Sequence, residues 1–276
     1  MPVDFFVALG AIGSGITIAQ ASKNLASRSE MLRQYVKNGA HKIAILGAGG
    51  VGKTSLSLLL SGKPKDILFE YKASQLTERQ KLGRNVVGEF IVGPGQGPRL
   101  ERQWTDIQRG IINGKVKGII NVVAYGYHSI EETKISEIEL YKKGMTTQQF
   151  VDAHTNRKRQ LEIALLTKIQ QSIEMAKRDI WMLTVVTKQD LWWNDNVGQT
   201  VEMFYKSGEY HQIIATITKR RGTDHFQHEY VSMSPVINNF MVGQSVLKPN
   251  AAGYDQRLQL ANTLNMLDVL EGFIKS

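Results

Sequence analysis

A glycine-rich octapeptide limits what this chain can fold into more than any other stretch. Residues 47–54 read Gly-Ala-Gly-Gly-Val-Gly-Lys-Thr, after a short apolar run at 42–46 and before a helix-like run at 55–60. Glycines at four of the eight positions allow backbone conformations that turn successive N–H groups toward a phosphate chain, and the helix that follows adds its positive dipole end. The pattern therefore predicts a phosphate-binding loop between a strand and a helix.

Each type of residue in this loop has a part in binding a triphosphate. The expected contacts come from Gly47, Gly49, Gly50, Val51, Gly52, Lys53, Thr54 and Ser55. Lys53 is expected to neutralise the β- and γ-phosphates, and the Thr54 hydroxyl is expected to ligate Mg²⁺. The loop alone predicts that a nucleotide binds, but it does not indicate which base the nucleotide carries.

Apolar runs alternate with helical stretches along the rest of the chain. Further strands are expected at 86–92, 119–124 and 180–186, with a weaker one at 229–232. This alternation predicts an α/β fold of the P-loop NTPase type, with a mainly parallel sheet and helices on both faces.

Two long amphipathic helices are also expected. The first covers about 146–178, where Leu161, Leu165, Ile169 and Ile173 form a stripe that we assign to core packing, with Glu162 among the polar residues. The second closes the chain and carries its apolar residues at Leu258, Leu260, Leu264, Leu267, Leu270 and Phe273.

Charge and composition limit the classes of partner. The net charge of +9 favours phosphates, acidic membrane surfaces and nucleic acid alike. Basic residues are spread along the chain and no RNA-binding signature is present, so a solvated basic surface is favoured and no specific nucleic acid is predicted. The absence of cysteine excludes disulfides and thiolate metal sites. His225 and His228 have a spacing that suits one helical face, but we favour solvated or capping roles over a metal site.

The first 38 residues are interpreted as an N-terminal hydrophobic and amphipathic helical extension, and residues 39–276 as the P-loop domain. Residues 5–22 carry no charge, at the lower length limit for a membrane span. They suit a helix that docks on a membrane or a partner, a helix packed on the protein's own core, or a cleaved signal. Asp4 and the lack of a preceding Lys or Arg disfavour the signal. We expect a cytoplasmic protein, with attachment to the cytoplasmic face of a membrane left open.

Thr187-Lys188-Gln189-Asp190 directly follows the apolar run 180–186. The segment resembles the base-recognition motif of Ras-like and translation-factor-like GTPases, in which Thr is a known variant of the first Asn. The resemblance implies that Asp190 accepts two hydrogen bonds from guanine and that Lys188 packs over the base. Ser232-Met233-Ser234 resembles the Ser-Ala-Lys loop behind the base but lacks its lysine, and it assigns Ser232 and Met233 to nucleotide contact.

Gly93-Pro94-Gly95-Gln96 resembles the Asp-x-x-Gly-Gln switch element of the same GTPases. The resemblance implies that Gly95 donates its N–H to the γ-phosphate and that Gln96 positions the attacking water. Val92 stands where the family carries its Mg²⁺-associated aspartate, so hydrolysis is expected to be weak and dependent on a partner. Thr77 is the candidate for the switch threonine that reaches Mg²⁺, on its position alone.

These motifs favour a GTP- and GDP-binding switch that requires Mg²⁺ and acts through a protein effector or regulator. Lys53 and Gln96 are its expected catalytic residues. The order of the motifs matches a GTPase over about 40–240. Two alternatives remain open: a nucleotide-binding scaffold without turnover, motivated by Val92, and an ATPase in which the Thr-Lys-Gln-Asp segment is a coincidence.

Overall fold

The computed structural model describes residues 23–31, 42–60, 90–92, 100–193 and 196–275. The core of the molecule is a five-stranded parallel sheet in the order β2-β1-β3-β4-β5. Its strands are β1 (Lys42–Leu46), β2 (Phe90–Val92), β3 (Val116–Val123), β4 (Ile180–Val186) and β5 (Phe226–Ser232). The expected parallel sheet is confirmed, and β4 has the bounds that its apolar run predicts.

Six labelled helices accompany these strands in the described part of the chain. They are α1 (Lys53–Leu60), α2 (Leu100–Ile112), α3 (Thr147–Glu174), α4 (Asn196–Lys206), α5 (Glu209–Arg221) and α6 (Gln256–Lys275). An antiparallel hairpin of β6 (Phe240–Val242) and β7 (Ser245–Lys248) follows β5 in the chain and precedes α6. The sequence reading did not predict this hairpin.

Side chains of each strand alternate between two apolar layers, because successive residues of a strand point to opposite faces of the sheet. In β1, Ala44 and Leu46 join the layer that contains α2, α3, α4 and α5, whereas Ile43 and Ile45 join the layer that contains α1 and α6. Helices therefore cover both faces, as the sequence predicts. The arrangement brings the carboxyl ends of the parallel strands to one edge.

Helix α3 corrects the predicted apolar stripe. Ile169 and Ile173 are fully buried as expected, but the Leu161 side chain is 47% exposed. Glu162, expected on the polar face, is instead 1% exposed. The predicted stripe is wrong at this position because the loop after β3 packs on this turn of α3. The N–H groups of Ala124 and Gly126 in that loop need an acceptor, which a leucine cannot supply.

The two histidines do not lie on a helix. His228 lies within β5 and accepts or donates a hydrogen bond with Thr184 Oγ1 over 2.9 Å, while the exposed His225 pairs with Asp179 over 2.7 Å. His225 lies in the turn before β5 and is exposed, as the favoured solvated role expects, so the two histidines share no helical face.

Residues 23–31 are helical and pack on α6. Leu25 is buried in the layer that contains Leu267 and Leu270, and the Arg28 guanidinium pairs with Asp268 and Glu271. This part of the predicted extension thus contacts the P-loop domain. Residues 5–22 and the predicted boundary at 38 lie outside the described residues. Among the helices that the structure describes, none is long and apolar enough to cross a membrane.

Candidate nucleotide site

The glycine-rich loop leaves the carboxyl end of β1 and returns into α1. Gly47, Gly50 and Gly52 have φ angles of 147°, 78° and 94°, which residues with a Cβ rarely adopt. A Cβ on Gly47 would lie 2.3 Å from the carbonyl oxygen of Val122, so this position also excludes any side chain on steric grounds. The backbone at these three positions therefore favours glycine, and the predicted phosphate contacts stay a prediction.

Lys53 begins α1, and its side chain folds back along the loop. Its Nζ donates hydrogen bonds to the Gly47 oxygen over 2.9 Å and to the Ala48 oxygen over 2.6 Å, and the residue is 8% exposed. Thr54 and Ser55 follow in the first turn of the helix. An ammonium and the amino end of a helix are thus held at one place, and both attract anions.

The segment 187–190 leaves the carboxyl end of β4, which is separated from β1 by β3. Lys188 adopts a left-handed conformation with φ 60° and ψ 28°, and a short 3₁₀ turn follows at Gln189–Leu191. Thr187 is fully buried, and its hydroxyl lies 2.7 Å from the Val51 oxygen and 2.9 Å from the Val123 oxygen. Thr187 therefore fastens this segment to the phosphate loop and to the end of β3.

Asp190 is 1% exposed, and both of its carboxylate oxygens accept hydrogen bonds. The Ser234 hydroxyl donates to Oδ1, and the Asn238 N–H donates to Oδ2 over 2.8 Å. Burial raises the pKa of this carboxyl above its ordinary value, against the opposing effect of the Asn238 and Ser234 hydrogen bonds and of the Lys188 charge. Each oxygen retains a second lone pair, so the carboxylate can still accept donors from a base edge.

The loop after β5 reaches Asp190 through a residue that the sequence reading did not select. Ser234 is fully buried, donates to the carboxylate, and accepts the Asp190 N–H over 3.0 Å. Met233 is also fully buried, and its N–H donates to the Val186 oxygen over 3.0 Å. The assignment of Ser232 and Met233 to nucleotide contact stays a prediction. The signal for Ser234 was its place in the same Ser-Met-Ser segment.

The stretch before α6 and the α6 residue Asn262 also contact the segment 187–190. The Ala251 N–H donates to the Asp190 main-chain oxygen over 2.6 Å. Gln189 Oε1 accepts from Asn262 Nδ2 over 2.8 Å and from the Tyr254 hydroxyl over 3.3 Å. The partners of Gln189 and Asp190 in these contacts lie 61 to 73 positions away in the chain, so no local sequence motif predicts them.

A third segment, loop 124–130 after β3, also contacts the phosphate loop and was missed by the sequence reading. The Ser129 N–H donates to the Gly50 oxygen over 3.0 Å, and Lys188 Nζ lies 3.5 Å from Ser129 Oγ. Nothing in the composition of this loop distinguishes it from an ordinary turn.

Several predicted site residues lie outside the described part of the chain. Thr77, Gly95 and Gln96 are among them, so their roles stay predictions. Val92 is the last residue of β2 and pairs with Ile45 of β1.

The donor set around Thr54 can be compared with what Mg²⁺ requires. In nucleotide sites Mg²⁺ keeps water and phosphate oxygens and takes one or two protein oxygens. Thr54, next to Lys53 in the first turn of α1, fits that requirement. Within the described residues no cluster of three or more His, Cys, Asp or Glu could hold a metal by itself. A cation here would depend on the nucleotide.

The strand order, the loop after β1 and the segment 187–190 after β4 are those of an α/β fold of the P-loop, G-domain-like type. No protein-family model matches this chain, and no curated protein matches it. One matching solved structure is the ADP-ribosylation-factor-like GTP-binding protein, small COPII coat GTPase SAR1, from Encephalitozoon cuniculi in complex with GDP. It is 12% identical over 99% of this chain and 98% of that chain, with a TM-score of 0.30. A likeness at this level carries no weight for function.

Proposed function

We propose that this protein binds GTP and GDP and hydrolyses GTP slowly, as a switch that acts through a partner protein. The observation that carries the proposal is the Thr187–Val51 hydrogen bond of 2.7 Å, which holds the phosphate loop and the Asp190 segment at one edge of the sheet. A nucleotide bound along this edge would have its phosphates at Lys53 and its base at Asp190.

Guanine is favoured by the chemistry of Asp190. Its ring N–H and exocyclic amino group form a pair of donors that one carboxylate can accept together, and adenine offers no such pair. The Lys188 ammonium lowers the pKa of Asp190 against the effect of burial, which favours the charged form that guanine needs. The aliphatic stem of Lys188 would pack over the base.

The phosphate end would use the loop amides and Lys53. When a triphosphate enters, Lys53 exchanges its contacts with Gly47 and Ala48 for phosphate oxygens and offsets the charge that develops during transfer. Mg²⁺ would supply further charge neutralisation, with Thr54 and Thr77 as its protein ligands. Gln96 would orient the attacking water, and the Gly95 N–H would hold the γ-phosphate.

Slow turnover follows from Val92, because a valine cannot hold the metal through a carboxylate. A scaffold that binds nucleotide without hydrolysis is the second candidate, and Val92 is the observation that favours it. Phosphate release per bound GTP separates the two. Turnover that disappears in Gln96→Leu while binding persists supports the switch, whereas equal phosphate release in both proteins contradicts the assigned role of Gln96.

Competition between unlabelled GTP and ATP for one labelled nucleotide tests the base. We expect GTP to compete at much lower concentration than ATP. Asp190→Asn should weaken GTP binding by about 10- to 100-fold, because the amide replaces a carboxylate that accepts two hydrogen bonds from guanine, and only one neutral oxygen acceptor remains. ATP binding should change little. A preference for ATP in the wild-type protein would overturn the guanine assignment.

Residues 5–22 are proposed to contact a membrane or a protein partner. Their lack of charge supports the proposal. Deleting residues 1–22 should move the protein from the pelleted to the soluble fraction of a lysate. An unchanged distribution would exclude membrane attachment through this segment.

A further inference from the structure

Glu162 of α3 is a buried carboxylate that the proposed chemistry does not use. Its Oε1 accepts from the Ala124 N–H over 2.9 Å and from the Gly126 N–H over 3.3 Å. His128 Nε2 lies 2.8 Å from the same oxygen and donates to it in the tautomer that carries its proton on Nε2. Three residues of loop 124–130 are thus bound by one oxygen atom.

The second oxygen of Glu162 holds the same loop through a tyrosine. The Tyr205 hydroxyl donates to Oε2 over 2.7 Å and accepts the Tyr125 N–H over 2.9 Å. Tyr125 has a φ of 49°, which costs energy for a residue with a side chain. Such a conformation persists only where surrounding contacts fix it, and the network of Glu162 supplies these contacts.

The donors around Glu162 account for a carboxylate at this buried position. Burying a carboxylate costs free energy unless donors surround it, and a well-packed apolar residue often serves a core as well or better. A leucine here would leave the N–H groups of Ala124 and Gly126 without an acceptor. What Glu162 supplies is therefore a fixed position for the loop.

The far end of this loop lies between the two halves of the nucleotide site. The Ser129 N–H donates to the Gly50 oxygen over 3.0 Å, and the Ser129 hydroxyl lies 3.5 Å from Lys188 Nζ. The approach to Gly50 is so close that a Cβ there would lie 2.7 Å from the Ser129 nitrogen. Ser129 is the neighbour of His128, so a shift of His128 moves it directly.

We infer that Glu162 is a positioning residue of the nucleotide site: by fixing loop 124–130 it holds Ser129 between the phosphate loop and Lys188, and this contact slows nucleotide release. The inference deepens the proposed function and rests on it, because it concerns the rate at which that site loses its ligand.

The test is the rate at which fluorescent GDP dissociates from the full chain, measured after excess unlabelled GDP is added. Ser129→Ala removes the hydroxyl near Lys188 and should speed release about 2- to 5-fold, the effect of one weak hydrogen bond. Glu162→Gln keeps the shape but loses the charge, and should speed release about 10-fold or more, because several donors lose a charged acceptor. Asp152→Asn, an exposed carboxylate on the same helix, is the matched control and should stay within about 2-fold of wild type.

The double variant separates positioning from general destabilisation. If Glu162 acts through Ser129, the two changes should be non-additive, with Ser129→Ala adding little once Glu162 is replaced. Additive effects, or a Glu162→Gln rate equal to that of Asp152→Asn, would overturn the inference. Should Glu162→Gln fail to fold, an unchanged release rate in Ser129→Ala overturns it equally. Wild-type protein that binds no guanine nucleotide would instead remove the proposed function, and this inference with it.

Discussion

The side-chain hydroxyl of Thr187 lies 2.7 Å from the main-chain oxygen of Val51, although 136 positions separate the two residues in the chain. The bond joins the phosphate loop after β1 to the residue that follows β4, and these strands are not neighbours, because β3 lies between them. The parallel arrangement brings both ends to one edge of the sheet, and the short hydroxyl of a threonine spans the remaining gap. The segment 187–190 is thereby tied directly to the phosphate loop.

Thr187→Val tests this link with almost no change of shape. The Val51 oxygen loses its donor in a fully buried place, so we expect the free energy of unfolding to fall by about 1–2 kcal/mol. Affinity for GDP should fall as well, since the phosphate loop is less well fixed. Urea unfolding and nucleotide titration measure the two effects. Thr216→Val on α5 removes a hydroxyl that is bonded only to the Gln212 oxygen one turn earlier, so it is the control and should change neither by much. Loss of stability with unchanged affinity would show that the bond serves the fold alone.

Gly50→Ala tests how tightly loop 124–130 packs on the phosphate loop. The new methyl group would lie 2.7 Å from the nitrogen and 2.8 Å from the oxygen of Ser129, at a φ of 78°. Clash and strain together should lower the free energy of unfolding by about 2–4 kcal/mol.

Gly144→Ala is the control for backbone strain. Gly144 has a comparable φ of 93°, but a Cβ there meets nothing within 4 Å. Its cost should be about 1–2 kcal/mol, from the left-handed conformation alone. Equal losses in the two variants would contradict a steric contact between Gly50 and Ser129. Thermal or urea unfolding of both variants gives the comparison.

Much of the fold could be predicted because its signals are local. A short apolar run that ends at a glycine predicts β1, and the run 180–186 predicts β4 with its observed bounds. The interior of α3 could not be predicted at Leu161 and Glu162, because the burial of Glu162 depends on backbone N–H groups 36 to 38 positions away. Periodicity records the character of a side chain and carries no information about such partners.

The same limit applies to the candidate site. The phosphate loop and the segment 187–190 carry their expected chemistry in consecutive residues, so a sequence motif can predict them. Ser129 and Asn238 contribute backbone N–H groups, which every residue other than proline has, and no side-chain pattern marks them. Ser234 contributes a hydroxyl, but its partner Asp190 lies 44 positions away.

His228 predicts a loss of stability in acid. Burial, and then the nearby His211, lower its pKa from 6.5 to about 3, while its Nε2 stays hydrogen-bonded to Thr184. Between these pH values His228 is protonated in the unfolded chain but not in the folded chain. The free energy of unfolding should therefore fall as the pH drops from 6.5 toward 3. The slope should approach, from below, about 1.4 kcal/mol per pH unit. His228→Gln should flatten the slope measured by urea unfolding, and the exposed His225→Gln variant is the control. A slope unaltered by His228→Gln would contradict this assignment.

Asp190 predicts a pH dependence of the opposite sign. Its pKa is raised, mainly by burial, so the folded protein retains a proton that the unfolded chain releases above pH 3.8. The stabilising contribution of the protonated form is present below pH 3.8 and is lost as the pH rises through the folded pKa. Asp190→Asn has no proton to lose, so the stability of the variant relative to wild type should increase as the pH is raised from about 3.8 toward neutrality.

Urea unfolding of the wild type and Asp190→Asn without nucleotide, at several pH values between 3.5 and 7, measures that difference directly. Repeating the series with saturating GDP tests whether the base contacts Asp190. The two N–H donors of guanine stabilise the ionised carboxylate, so GDP should stabilise the wild type more than the variant, and increasingly so as the pH rises. A difference that does not change with pH would show that the Asp190 carboxylate keeps its ordinary pKa. A difference that GDP leaves unchanged would show that the base does not contact Asp190.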